Sequence, residues 1–177
     1  DLEISGAAET WLHSSAGTQK PLAAFVSLVS PHYPLVCPEE YLDLYDPAKI
    51  NLPVGYGSRS RPDHSELKNI AKFFDYDRYF DEQRMREARA AYYGLTSFMD
   101  NCVGRILSAL SGSGQQENTV VGYVSDHGDM LGEQGFWTKQ VMYEQSAGVP
   151  MILAGPGVSP GRRVTTATSL LDLAATA

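Results

Sequence analysis

The sequence lacks the features of a membrane or secreted protein. No apolar run reaches the eighteen or so residues that a membrane-spanning helix requires. The first residues contain no basic segment followed by an apolar stretch, as a secretory signal peptide would. We therefore expect no membrane partner, and the sequence leaves the compartment open between cytoplasm and periplasm.

Cysteine and basic residues are also scarce. Cys37 and Cys102 are the only cysteines, and their wide separation gives neither a disulfide framework nor a metal-type spacing. The 14 Lys and Arg residues are outnumbered by 21 Asp and Glu residues, which leaves a formal net charge of -7. A nucleic-acid partner is not expected, because such proteins usually carry a basic stripe.

The sequence does contain enough hydrophobic residues for the core of one domain, since they make up 43% of its 177 residues. Apolar runs at residues 22–29, 119–124 and 149–154 predict strands, the second of them buried on both faces. Helical spacing appears at residues 4–12, 66–74, 82–110 and 169–177. This alternation predicts an α/β fold with a mostly parallel sheet flanked by helices. The irregular residues 38–82 are interpreted as a cover over a site.

Metal-capable side chains follow the strand at residues 119–124. Asp126, His127 and Asp129 lie where ligands bind in open α/β sheets, beyond the carboxyl end of a strand. Asp126 and His127 reach one ion only if the backbone turns, which Gly128 would permit. Carboxylate and imidazole ligands suit a divalent cation. Alternatively, the triplet is an ordinary polar turn.

His32 and Lys139 are two further candidates, because each follows a predicted strand in a loop rich in Gly, Pro or aromatic residues. Each side chain is able to donate a hydrogen bond to an anionic oxygen. The alternative for each is a solvated or packed loop residue without a function.

Four segments together resemble the type I sulfatases of the alkaline phosphatase superfamily. The longest is residues 125–133, SDHGDMLGE, with Trp137, Lys139, Tyr143-Glu144 and residues 149–152 after it. The others are residues 25–34, FVSLVSPHYP, residues 92–100, YYGLTSFMD, and residues 169–173, SLLDL. The Asp-His pair is similar to choline sulfatases, iduronate sulfatases and phosphonate monoester hydrolases, whereas many arylsulfatases have Asn in place of His127. The resemblance implies an alkaline-phosphatase-like fold.

The resemblance also implies roles. Asp126 and His127 would be two ligands of a divalent metal, with calcium as the first choice and magnesium or manganese as alternatives. His32 and Lys139 would contact the oxygens of a small-molecule sulfate ester. A formylglycine nucleophile, formed from Cys or Ser in a Cys/Ser-x-Pro-x-Arg motif, would carry out hydrolysis. Tyr143 and Glu144 match the family pattern, with core support as their interpretation.

Two parts of the family pattern are missing. The sequence contains neither the nucleophile motif nor an early Asp-Asp pair, and Cys37 has no Arg at the required offset. Cys37 is therefore interpreted as an ordinary, at least half-buried thiol. We expect residues 1–177 to be part of one catalytic domain truncated at both ends, and inactive alone. Two alternatives remain: a phosphonate or phosphate diester hydrolase of the same superfamily, and a non-catalytic binding module.

Overall fold

The computed structural model describes residues 1–18, 20–56 and 61–176. Its helices are α1 (Leu2–Ser14), α2 (Glu39–Leu42), α3 (Ser65–Phe74), α4 (Tyr76–Tyr79), α5 (Glu82–Gly112), α6 (Glu144–Ala147) and α7 (Leu170–Thr176), and its strands are β1 (Val121–Val124) and β2 (Met151–Ala154). In these ranges, no helix has both the length and the apolar character for a membrane span. The helices predicted at residues 4–12, 66–74 and 82–110 are confirmed. The helix predicted at 169–177 is α7, and Ala177 lies outside the described residues.

The longest element is α5, which begins where the Asp81 carboxylate accepts a hydrogen bond from the backbone N–H of Arg84 at 2.9 Å. This is the usual N-cap arrangement, in which a side chain satisfies a backbone donor of the first turn. Helix α1 packs against the C-terminal half of α5 through Leu12. The buried α5 side chains are Met85, Arg89, Ala90, Leu95, Phe98, Cys102, Ala109 and Leu110. Helix α5 is therefore the support on which the other elements rest.

Strands β1 and β2 pair antiparallel, with Val121 opposite Ala154 and Val124 opposite Met151. This pair is not parallel, because the chain leaves β1 at Val124 and returns to β2 from the same end. The burial expected on both faces is wrong. The side chains of β1 are only partly buried, and Gly122 is exposed.

The run at residues 22–29 forms no strand. It has no strand partner within the described ranges, and its Phe25 and Val29 residues are 87% and 62% exposed. A strand requires backbone hydrogen bonds with a neighbour, so an apolar run alone does not produce one. At the end of this run, the Asp1 carboxylate accepts hydrogen bonds from the backbone N–H groups of Val29 and Ser30, both at 2.8 Å.

Residues 38–82 contain α2, α3, α4 and a 3₁₀ turn at Pro47–Lys49; residues 57–60 of this region lie outside the described ranges. The described part of the region packs into the main core. That core contains Tyr76, Met85, Met130, Phe136, Trp137 and Val141. Its described hydrogen bonds to residues 134–137 go to backbone atoms, so it supports that segment from outside. The cover over a site that the sequence predicts for residues 38–82 stays a prediction.

Candidate functional site

Three side chains from distant parts of the sequence meet beyond the end of β1. The Lys139 Nζ lies 2.9 Å from the Nε2 of His32 and 2.5 Å from the Nε2 of His127. The two imidazole rings are 5.7 Å apart between centroids and lie edge to face. His32 and Lys139, which are 107 positions apart, are thus brought together with one of the two predicted metal ligands.

Backbone carbonyls fix the tautomer of both histidines. The Nδ1 of His32 is 2.8 Å from the carbonyl oxygen of Tyr33, and the Nδ1 of His127 is 2.7 Å from that of Gly128. A carbonyl oxygen only accepts, so each Nδ1 carries the proton and donates it. Each Nε2 therefore presents a lone pair, and the Lys139 ammonium donates to both.

His32 lies in the turn that follows residues 22–29. Its backbone N–H donates to the carbonyl oxygen of Val29 at 3.0 Å, and its ring stacks on Tyr33 at 4.3 Å between centroids. The Asp1 carboxylate, bound to the N–H groups of Val29 and Ser30, anchors the start of this turn. The position of His32 therefore depends on an N-terminal residue that sequence patterns did not indicate.

His127 is placed by close backbone packing after β1. The N–H of Gly128 donates to the carbonyl oxygen of Ser146 at 2.8 Å, and a Cβ at Gly128 would overlap the carbonyl oxygen of Gln145. Gly128 is not among the residues with a positive φ. The sequence interpretation relied on the conformational freedom of Gly128. The structure gives a different reason for glycine here: only a residue without a Cβ lets the Gln145 backbone approach this closely.

Asp126 lies beside His127 on the same side of the turn. Its Oδ2 is 3.6 Å from the His127 Nε2, its Oδ1 accepts from the His127 N–H at 3.0 Å, and its side chain is 86% exposed. A carboxylate and an imidazole nitrogen are suitable ligands for a divalent cation. In the ranges that the structure describes, no three His, Cys, Asp or Glu residues form a group able to hold a metal. The pair fits part of a metal site but does not complete one.

The Asp129 carboxylate binds backbone N–H groups and does not join the pair of Asp126 and His127. Its Oδ1 accepts hydrogen bonds from the N–H of Leu131 at 2.9 Å and from the N–H of Thr138 at 3.0 Å. Burial raises the pKa of the Asp129 carboxyl, and the two N–H groups act against that rise. The carboxylate closes residues 129–139 into a loop that ends at Lys139, called the Lys139 loop below.

Side chains beyond the Lys139 loop also hold it. The Ser146 hydroxyl donates to the carbonyl oxygen of Lys139 at 2.9 Å, and the Tyr76 hydroxyl donates to that of Trp137 at 3.0 Å. Arg61 donates through Nη2 to the carbonyl oxygen of Gly135 at 2.7 Å. Sequence reasoning missed these supports, since each joins residues that are not neighbours in the sequence.

The remaining predicted residues lie at the edge of the site or outside it. Tyr143 packs against the main core, with its ring 6.4 Å from that of Phe136, as core support requires. Glu144 is the exposed first residue of α6, so the core support expected for it is wrong. Cys37 is a half-buried free thiol, as predicted, and burial raises the pKa of this group.

The arrangement is suited to binding an anion beside a cation. Lys139 carries a fixed positive charge, and the two imidazoles keep their Nε2 atoms around it. Ammonium N–H groups form strong hydrogen bonds with anionic oxygens. The adjacent exposed carboxylate of Asp126 is available to a metal ion.

Comparison with known proteins gives a consistent result. The Sulfatase family model matches residues 4–177. The chain is 36% identical over 162 residues to the choline-sulfatase of Rhizobium meliloti, which covers 90% of this chain and 31% of that protein. It is 35% identical over 139 residues to the arylsulfatase of Clostridium perfringens, covering 78% of this chain and 28% of that protein. The chain therefore spans about a third of the length of these relatives.

A solved structure gives the same picture of the fold. The phosphonate monoester hydrolase from Silicibacter pomeroyi matches with a TM-score of 0.69 and 28% identity, covering 90% of this chain and 34% of that one. The likeness confirms the alkaline-phosphatase-like α/β fold class predicted from the sequence. The two strands described here are a small antiparallel part of such a domain.

Proposed function

The chain belongs to the sulfatase family, and we propose that the gene product containing it hydrolyses sulfate esters of small molecules. The observation that carries the proposal is the convergence of His32, His127 and Lys139 through their Nε2 and Nζ atoms. A family match alone does not require these three side chains to meet. Their meeting holds the Lys139 ammonium in place between two imidazole rings, and this ammonium provides the positive charge and N–H donors that sulfate oxygens need.

His32 and Lys139 are the proposed sulfate contacts. Lys139 would donate from its ammonium to the ester oxygens. His32 would contact the same oxygens and hold the Lys139 ammonium beside them through Nε2. Donors that are already positioned where negative charge develops are often the largest contribution to catalysis. Because the ring positions are fixed by the Tyr33 and Gly128 carbonyls, little reorganisation is needed on binding.

Asp126 and His127 are the proposed metal ligands of this chain. The family in general implies a divalent metal and a formylglycine. When present, the metal would supply Lewis-acid polarisation of the sulfate oxygens, and the formylglycine would supply the nucleophile. We propose calcium, with magnesium or manganese as alternatives, because the exposed Asp126 carboxylate is a hard oxygen ligand and His127 Nε2 tolerates softer ions.

We propose that residues 1–177 form part of one catalytic domain, with the nucleophile motif and further carboxylates supplied elsewhere in the gene product. The short span relative to the choline-sulfatase and the arylsulfatase supports this. The pair of Asp126 and His127 supports the same proposal, because within the described residues it does not complete a metal site. Sequencing of the flanking gene checks it directly: absence of both a Cys/Ser-x-Pro-x-Arg motif and an Asp-Asp pair would contradict it and favour a non-catalytic binding module.

The activity is tested by assaying the full-length gene product and the 177-residue chain with an aryl sulfate, before and after removal of metal by a chelator. We expect turnover only for the full-length protein, with loss on chelation and recovery when calcium is added. Turnover by the 177-residue chain would contradict the proposed division of the active site. No turnover by the full-length protein would contradict the proposed function.

A phosphonate monoester hydrolase is the second candidate, because the Silicibacter pomeroyi structure carries that name and is 28% identical. Both reactions place an anionic group on the same donors, so the site geometry suits either. Assays of the full-length protein with matched aryl sulfate and aryl phosphonate esters separate them. A higher kcat/KM for the phosphonate would favour the second candidate.

A further inference from the structure

The Lys139 loop adopts an unfavourable backbone conformation at several residues. Leu131, Gln134 and Thr138 have φ angles of 45°, 54° and 63°, although none of them is glycine. The left-handed region is disfavoured for residues with a Cβ, most of all for a β-branched residue such as Thr138. Such a loop persists only if surrounding bonds hold it.

Each of the three residues has such a bond. The N–H groups of Leu131 and Thr138 donate to the same oxygen of Asp129, and the N–H of Gln134 donates to the carbonyl oxygen of Val54 at 2.9 Å. The N–H of Met130 also donates to the carbonyl oxygen of Thr138 at 2.8 Å. Leu131 and Thr138 are therefore coupled through one carboxylate, and Lys139 follows Thr138 directly.

A buried arginine of α5 holds the other side of Leu131. The Arg89 Nη1 donates to the carbonyl oxygen of Leu131 at 2.8 Å and lies 3.5 Å from the Oε1 of Glu133. Its Nη2 donates to the Tyr93 hydroxyl at 3.1 Å, and the residue is only 9% exposed. Burying a guanidinium is costly unless its donors are used. Here Nη1 and Nη2 are used on the Lys139 loop and its neighbours, whereas the buried Nε has no hydrogen-bond partner within the described residues.

We propose that Arg89 is a positioning residue for Lys139. A continuous set of contacts runs from the Arg89 guanidinium to the Leu131 carbonyl, from the Leu131 N–H to Asp129, and from Asp129 to the Thr138 N–H. Arg89 thereby fixes the direction in which Lys139 leaves the loop, between His32 and His127. The catalytic consequence rests on the proposed function, whereas the effect on the loop does not.

Two variants of the full-length protein separate positioning from general stability. Arg89→Met removes the guanidinium but keeps an apolar side chain of similar length. Arg84→Met is the matched control, because Arg84 lies on the same helix and its side chain is 63% exposed. Arg89→Lys keeps the charge but cannot reproduce the two-pronged contact with Leu131 and Tyr93, so we expect intermediate behaviour.

The first readout is hydrogen exchange, which needs no activity. In Arg89→Met, we expect the amides of Leu131, Gly132 and Thr138 to exchange about tenfold faster or more, while residues 98–110 of α5 stay unchanged. Arg84→Met should change neither segment. Equal acceleration in both segments, or no acceleration in the loop, would overturn the proposal and show that Arg89 supports only the fold or nothing.

The second readout is competitive inhibition by inorganic sulfate. A misplaced Lys139 should weaken sulfate contacts, so we expect the inhibition constant for Arg89→Met to rise about fivefold or more, with a lower kcat/KM. A merely structural loss would reduce the active fraction and lower kcat without changing that constant. An unchanged inhibition constant overturns the catalytic part of the proposal. An inactive wild-type protein contradicts the proposed function alone, because hydrogen exchange still tests the loop.

Discussion

The two segments that bring Lys139 and His32 together are held in opposite ways. The Lys139 loop is fixed from several sides, by Asp129 within it and by Tyr76 and Arg89 outside it. Residues 22–32, the His32 segment below, are largely exposed. Leu28 packs against a core cluster, and the Asp1 carboxylate accepts hydrogen bonds near the end of the segment. One half of the site is thus built into the core, and the other half lies mostly at the surface.

This difference predicts where substitutions have large effects. Buried contacts in the Lys139 loop exclude water, so losing one leaves an unpaired group or a clash. The exposed bonds of the His32 segment are replaced by water at little cost. Four substitutions test the contrast, beginning with the largest expected effect.

Lys139→Met should lower the kcat/KM of the full-length protein for an aryl sulfate by about 10²–10³-fold, comparable to the loss of one preorganised donor at a developing oxyanion. The exposed Lys20→Met is the control and should leave kcat/KM unchanged. Steady-state kinetics with a circular dichroism check of folding provide the measurement. Full activity in folded Lys139→Met would remove Lys139 from the proposed machinery.

Gly128→Ala should destabilise the fold by about 1–3 kcal/mol, since the added methyl group overlaps the Gln145 carbonyl oxygen in a packed turn. Gly104→Ala is the matched control, because Gly104 is an exposed position of α5 with open space around its Cβ. That change should stabilise by about 0.5–1 kcal/mol through helix propensity. Urea denaturation measures both free energies of unfolding. Equal stability of the two variants would contradict the close packing around His127.

Tyr76→Phe removes the buried hydroxyl that donates to the Trp137 carbonyl oxygen. We expect a loss of about 1 kcal/mol in the free energy of unfolding, because the carbonyl is left without that partner. Tyr79→Phe, at a tyrosine that is 56% exposed, should change it by less than about 0.5 kcal/mol. Urea denaturation of both variants decides the matter. A neutral Tyr76→Phe would mean that the support of the Lys139 loop is weaker than its geometry indicates.

Asp1→Ala should have the smallest effect on global stability, below about 1 kcal/mol, since its bonds to Val29 and Ser30 are only partly protected from solvent. The local effect should be clear, with faster hydrogen exchange at those two amides. Glu3→Ala, on the exposed first turn of α1, serves as the control. A large global destabilisation by Asp1→Ala would contradict the surface character of the His32 segment.

Sequence patterns predicted the helices well because their signals are local. Helix α5 was expected at residues 82–110 and spans Glu82–Gly112, since its apolar positions recur every three or four residues. The strands were predicted less well. Residues 22–29 have strand-like composition, yet they pair with no other strand in the described structure.

The sequence by itself determined that the chain is a sulfatase-family segment and that Asp126, His127, His32 and Lys139 are the residues to examine. Their types and their places after apolar runs are visible without coordinates. Only the tertiary structure decided that Lys139 meets both histidines, that Asp129 binds backbone N–H groups and that the Arg89 guanidinium donates to the Leu131 carbonyl oxygen. These contacts join residues far apart along the chain or depend on backbone angles, and neither property follows from local composition or periodicity.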